Sequence, residues 1–352
     1  MQHFDSDYME GAHPAILEKL METNEEKTPG YGTDAYCARA RALIREACGC
    51  PEAEVFFLVG GTQTNATIID ALLRSTQGAL AADTGHIATH EAGAIEASGH
   101  KVITIPHTLG KIDAEAIDSL CTTFYADANY EHMVEPGLVY ISHPTEYGTI
   151  YSLSELKAIS DVARKFKLPL FMDGARLGYG LAAEGADLAL ADIARLCDVF
   201  YIGGTKVGAL FGEAVVFTKP ELAKGFFTLM KQHGALLAKG RLLGIQFDTL
   251  FTDGLYERIG ADAVRYADVI RRAMAENGYL HCFPSPTNQS FCIVSEQQRK
   301  ELAERVDFSV WEQYDETHSI IRFATSWATR EEDVNARCRI LRECSAQEKA
   351  AS

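Results

Sequence analysis

Apolar residues along the chain fall into short runs separated by longer amphipathic stretches. The runs predict strands at 55–59, 79–82, 101–105, 138–142, 170–172, 198–202 and 213–217, and spacing near 3.6 predicts helices between most of them, at 63–74, 89–97, 113–124 and 154–167. Strands joined by helices pair in parallel, because the crossover must travel back along a face of the sheet. Only residues 203–212 separate the last two strands. That is too short for a crossover, so the seventh is expected antiparallel, with the loop as its turn. The pattern predicts an α/β architecture: a three-layer αβα domain with a mostly parallel seven-stranded sheet. Beyond Pro220 it turns helical, through 221–231, 235–251 and 255–277, and Pro284-Ser285-Pro286 breaks the chain. A smaller α+β unit follows, with strands at 290–294, 308–313 and 319–324 and helices at 296–304 and 330–344. Ahead of the sheet, residues 1–34 read as irregular apart from a helix at 13–25 with Pro14 in its first turn, and a helix follows at 35–48. The boundaries expected are an N-terminal arm at 1–35, a large domain at 36–250 and a small C-terminal domain at 251–352 with a frayed tail from 347.

Composition narrows the partners. A chain of 352 residues has room for a large core and a smaller one. The formal charge, 33 − 49 = −16, speaks against nucleic acid and anionic membranes, which want basic patches. The start, Met1 to Asp7, is polar and acidic, without the basic and apolar regions of a signal peptide. No apolar run approaches the roughly 18 residues of a membrane span, so a cytoplasmic location is expected. Nine scattered cysteines read as reduced thiols. Cys48-Gly49-Cys50 has no second pair to complete a zinc site, and no metal is expected.

The chemistry centres on Tyr201-Ile202-Gly203-Gly204-Thr205-Lys206-Val207-Gly208-Ala209. Its one long charged side chain, Lys206, sits among small and apolar residues. Desolvation lowers such an amine's pKa and makes it a usable nucleophile. A solvated loop lysine is the commoner case, but Phe171-Met172-Asp173-Gly174-Ala175-Arg176 upstream weighs against it. An acid at a strand end and a separate buried lysine are what a pyridoxal phosphate site needs, the acid for the pyridine nitrogen and the lysine for the aldehyde. Gly60-Gly61-Thr62 follows a strand and opens a helix, an anion site suited to one phosphate. It matches neither a dinucleotide fingerprint nor a P-loop. His86 and His90 could chelate a metal, although an imidazole stacked on a flat ring suits His86 better and a helix-capping role suits His90. In His143-Pro144-Thr145-Glu146-Tyr147-Gly148, His143 and Glu146 are candidate acids or bases.

Taken in order, Gly61-Thr62-Gln63, His86 with Glu91-Ala92-Gly93, Asp173-Gly174-Ala175-Arg176 and Lys206 in a glycine-rich turn resemble the low-specificity L-threonine aldolases. These belong with the β-eliminating lyases to the aspartate-aminotransferase-like pyridoxal phosphate enzymes of fold type I. The resemblance runs from Asp5-Ser6-Asp7 to Ile321-Arg322-Phe323. It implies a carbon–carbon lyase that cleaves a β-hydroxy-α-amino acid to glycine and an aldehyde. By this likeness Lys206 carries the pyridoxal 5'-phosphate, His86 stacks on its ring, Asp173 pairs with its nitrogen, and Gly61 and Thr62 bind its phosphate. Arg176 and Arg322, with Ser6, would hold the substrate carboxylate. Tyr31 and Lys231 would serve the site across a subunit interface, in a homo-oligomer, dimer or tetramer, with shared active sites. One departure stands out: Glu146 occupies a place where many bacterial relatives carry histidine. This leaves Glu146, His86 or a water as the base. Another pyridoxal phosphate lyase or aminotransferase, or a non-catalytic regulator binding the cofactor, are the competing readings.

Overall fold

The computed structural model describes the backbone of residues 2–351 and the side chains of residues 2–345. The tail from 347, expected to fray, lies outside the residues whose side chains are described. A seven-stranded sheet forms the centre, in the spatial order Glu54–Leu58, Glu213–Phe217, Val199–Gly203, Leu170–Asp173, Glu135–Ser142, Gln77–Ala82 and Lys101–Ile105. Glu213–Phe217 runs antiparallel to both of its neighbours, as the short connection required. The other pairings are parallel.

Strand alternation sends successive side chains to opposite faces. Met172, Phe200 and Val216 enter the core on one side, with Ile44, Leu80 and Phe247. Phe171, Val199 and Val215 enter the core on the other, with Ile68 and Phe226. Leu170–Asp173, Val199–Gly203 and Glu213–Phe217 are buried at every residue, as a sheet covered on both faces demands. Two of those residues, Asp173 and Glu213, are carboxylates, and a buried acid must find partners.

Several elements differ from expectation for local reasons. The helix expected at 89–97 divides into His86–Thr89 and Ala94–Ala97, because Ala92 and Gly93 take left-handed backbone (φ 52° and 72°). The one expected at 221–231 is a 3₁₀ turn, Pro220–Ala223, then Phe226–Gln232 after Gly225. The 235–251 helix begins only at Arg241. Two short helices unforeseen by the pattern, Leu177–Leu181 and Leu190–Leu196, cross from Leu170–Asp173 to Val199–Gly203.

The smaller unit is a four-stranded antiparallel sheet, Ser309–Gln313, His318–Ala324, Gln289–Ser295 and Leu280–His281, packed with Leu255–Glu276, Glu296–Ala303 and Glu331–Ala351. The N-terminal residues are less irregular than their sequence suggests. Gln2–His3 pairs in parallel with Val306–Asp307, Phe4 enters the small core, and its carbonyl accepts from Ala324 N at 2.8 Å. This stitching carries Asp5, Ser6 and Asp7 to Arg322. No helix among the described residues is long and apolar enough to cross a membrane.

Candidate active site

The carboxyl ends of the parallel strands converge on a cavity lined by Gly61, Asn65, His86, Glu91, Ser142, Glu146, Asp173, Arg176, Tyr201 and Lys206, among others. In an open α/β sheet this is where ligands sit. Backbone runs close to backbone here: a Cβ on Gly174 would lie 2.0 Å from the Tyr201 carbonyl oxygen and one on Gly203 would lie 2.3 Å from that of Ala175. Only glycine allows the Asp173 turn to lie against the strand that leads to Lys206.

Lys206 is half-buried. Burial, helped by the Arg176 charge, lowers its amine from the usual range, while Asp7, Asp173 and Glu213 oppose the shift. Tyr179 OH donates to the Lys206 carbonyl oxygen at 2.5 Å.

Asp173 is saturated with donors. Tyr140 OH (2.7 Å) and Asn65 Nδ2 (2.9 Å) donate to Oδ2, while Tyr201 OH (2.5 Å) and Ala175 N (2.9 Å) donate to Oδ1. Burial alone would push this carboxyl up, but the neighbouring His86 and the bonds from Tyr140, Tyr201 and Ala175 outweigh it and hold the acid below its usual range. His86 Nδ1 lies 2.7 Å from Glu91 Oε1, which also accepts from Asn65 Nδ2 at 2.7 Å. An unbroken chain therefore links His86, Glu91, Asn65 and Asp173. His90 caps the turn after His86–Thr89 and is exposed, its ring 5.6 Å from that of His86.

Glu146 is buried, and its Oε1 accepts from Ser142 Oγ (2.8 Å) and His86 N (2.9 Å). Oε2 has no hydrogen-bond partner among the described residues. Burial pushes this carboxyl up, against the bond from Ser142. His143 turns away from the cavity: its Nδ1 accepts from Tyr151 N, its ring stacks on Tyr151, and burial lowers it to about 4. It is a neutral interior histidine.

Arg176 and Arg322 meet through the N-terminal arm. Asp7, fully buried, accepts from Arg176 Nε (2.6 Å) and Nη2 (3.0 Å) and from Asn288 Nδ2 (2.9 Å). Arg322 donates to Gln289 Oε1 (3.0 Å), the Asp5 carbonyl oxygen (3.0 Å) and Ser309 Oγ (3.1 Å), and its guanidinium faces the Trp311 ring at 5.2 Å. Its Nε is buried and unpartnered, as is Ser6 Oγ. Gly61 opens helix Gly61–Leu72 with no side-chain cap, leaving first-turn N–H groups free, and Thr62 beside it is exposed. Tyr31 and Lys231 are not among the cavity's lining. They meet each other elsewhere, Lys231 Nζ lying 4.8 Å from the Tyr31 ring centroid.

The structure thus brings together Lys206, Asp173, His86, Glu146, Gly61 and Arg176, with Arg322 and Ser6 alongside. Sequence reading gave no role to Asn65, Tyr140, Ser142, Tyr201, Asp7 or Glu213. Strand alternation was the available signal for Tyr140 and Ser142, which share a face of their strand.

The Asp7–Arg176 pair yields a stability prediction. Asp7→Ala leaves a half-buried guanidinium uncompensated, with an expected loss of about 3–5 kcal/mol in denaturant unfolding. Despite the cost of burial, Arg176, Lys206 and Arg322 hold the Asp7 carboxyl well below its usual range. The stabilisation should be complete above about pH 5 and fade as pH falls through that lowered range. Equal unfolding curves for wild type and variant at pH 7 would show that the pair contributes nothing.

The sheet order, the half-buried lysine and the buried aspartate define an enzyme of the aspartate-aminotransferase-like fold. A Thermus thermophilus aspartate aminotransferase mutant shares that fold at 15% identity and a TM-score of 0.72, over 97% of this chain and 91% of that one. The chain belongs to the β-eliminating lyase family, whose model matches residues 3–306. It is 32% identical to a low specificity L-threonine aldolase of Pseudomonas aeruginosa over 97% of each chain. Against the structure of Leishmania major threonine aldolase it superposes with a TM-score of 0.95 at 42% identity, covering 98% of this chain and 100% of that one.

Proposed function

We propose that this protein is a pyridoxal 5'-phosphate-dependent aldolase that cleaves L-threonine, L-allo-threonine or related β-hydroxy-α-amino acids to glycine and an aldehyde. The observation that carries this reading is the cavity itself, which joins a depressed lysine amine, a saturated buried aspartate and an unpartnered carboxylate oxygen on Glu146. The names of the relatives point the same way.

The residues fit the cofactor. Lys206 would hold its aldehyde, Asp173 its ring nitrogen and the open helix start at Gly61 and Thr62 its phosphate. His86, fixed by Glu91, offers the flat face for the ring. When bound, pyridoxal phosphate supplies a carbonyl for amines and a ring that takes up the electrons of a breaking bond. The protein's own part is positioning and proton transfer. Asp173 stays ionised and keeps a proton on the ring nitrogen. Arg322, with a free Nε, and the unpartnered Ser6 Oγ hold the substrate carboxylate. Arg176 is oriented toward the same site by Asp7. Glu146 takes the β-hydroxyl proton as the Cα–Cβ bond breaks, and a proton returned to Cα completes glycine.

Product analysis with threonine tests the reading. Acetaldehyde and glycine in equal amounts are expected. A keto acid with ammonia would instead favour another lyase or an aminotransferase on the same scaffold.

The Tyr31 loop supports a shared site. Tyr31 is 45% exposed and holds left-handed backbone at φ 57°. Such conformations are costly for a bulky residue and cluster at functional sites. Phe227 nearby is also exposed. A homodimer, or a dimer of dimers, with Tyr31 and Lys231 serving the neighbouring site is expected in sedimentation. A monomer that keeps full activity would overturn it.

A further inference from the structure

Glu213 is a buried acid in a strand, Glu213–Phe217, that is otherwise apolar and needs no charge to pack. An unpaired carboxylate there would be strongly unfavourable, and Glu213 is far from unpaired. Its Oε2 accepts from Gly204 N at 3.0 Å and its Oε1 from Thr205 Oγ1 at 2.7 Å. Thr205 Oγ1 in turn accepts from Gly212 N at 3.0 Å. The carboxylate therefore grips the two residues that precede Lys206 and closes the hairpin that presents it.

We propose that Glu213 is a positioning residue for Lys206: it fixes the turn, and its charge sets how readily the lysine amine gives up a proton. The proposal rests on the reading of Lys206 as the cofactor-bearing amine. An amine attacks a carbonyl only when neutral, and a nearby anion holds the proton on it. The charged groups facing Glu213 are Lys206 from its own hairpin and Asp173 from the sheet, and the titratable hydroxyls are those of Tyr201 and Tyr256. Burial pushes the Glu213 carboxyl up to about 8, against the pull of Thr205, Lys206 and Gly204. Burial thus raises the acid and lowers the amine, so the two titrations are drawn toward each other and are linked.

Glu213→Gln separates charge from contact, because the amide oxygen can accept from Gly204 N while Nε2 donates to Thr205 Oγ1. The test is reductive methylation of the full chain, freed of bound aldehyde with hydroxylamine, using formaldehyde with cyanoborohydride as the hydride donor, and peptide mapping at Lys206 across pH. The midpoint should fall by about one pH unit in Glu213→Gln and stay at the wild-type value in Thr205→Val, which keeps the charge. A Glu213→Gln midpoint equal to wild type, or an equal shift in Thr205→Val, would overturn the proposal and leave Glu213 a structural brace. If Glu213→Gln does not fold, Lys206→Met in a Glu146→Gln background tests the pair from the other side. Removing the lysine charge should raise the titration of one carboxyl infrared band by about one unit, and no such shift would likewise overturn it. Uptake of pyridoxal phosphate by the wild type, read by absorbance, tests the underlying reading separately, since the methylation midpoints report the amine whether or not the cofactor binds.

Discussion

Lys206→Ala should yield a folded protein that no longer forms the yellow lysine-bound cofactor, with turnover lowered by a factor on the order of 10³ or more. The loss is chemical and not structural. The turn is held by Tyr179 at the Lys206 carbonyl and by Glu213 at Gly204 and Thr205, and none of these contacts uses the lysine side chain. The variant should therefore melt close to wild type or above it, since truncation removes an amine whose burial is unfavourable. Borohydride reduction of the wild type, followed by peptide mapping, should place the cofactor on Lys206. A label on any other lysine would refute the assignment of the site.

Lys206 and Asp173 were legible in the sequence because each hangs at the end of a buried strand, and strand ends of such sheets face the ligand. The seven strands were legible for the same reason: buried, mostly apolar runs of four or five residues survive any change of neighbours. Their spatial order was not. Glu213–Phe217 lies inside the sheet, beside Glu54–Leu58, and nothing local in either strand encodes that choice. The same limit hid the partners of the charged groups. Asp7 and Arg176 are 169 positions apart and meet only because Gln2–His3 and Phe4 dock on the small unit. Asn65 and Tyr140 reach Asp173 from two other elements. The pattern placed Glu213 only within the strand at 213–217, and its bonds to the Lys206 turn show why an acid stands there.

Glu146 carries the largest expected effect among the groups that move protons. Both its hydrogen bonds fall on Oε1, leaving Oε2 buried and unpartnered beside the cavity. An oxygen so placed is ready to accept a proton from a bound hydroxyl. Burial raises the carboxyl, with Asp173 adding to the shift, and the bond from Ser142 and the neighbouring His86 only partly offset it. A base of raised pKa binds a proton more strongly once it is ionised, which suits transfer near neutrality. Glu146→Gln keeps the shape and can keep an acceptor toward Ser142 and His86 N, so substrate positioning should survive while proton transfer does not. The expected result is a fall in kcat of about 10²- to 10⁴-fold with KM little changed. Wild-type activity should rise with pH as the carboxyl ionises, and this acidic limb should vanish in the variant. If Glu146 only orders a water, the loss should stay near tenfold and fall partly on KM. His86→Phe keeps a flat surface for the ring while deleting both nitrogens and the tie to Glu91. Near-normal turnover in Glu146→Gln beside a crippled His86→Phe would transfer the role of base to the histidine.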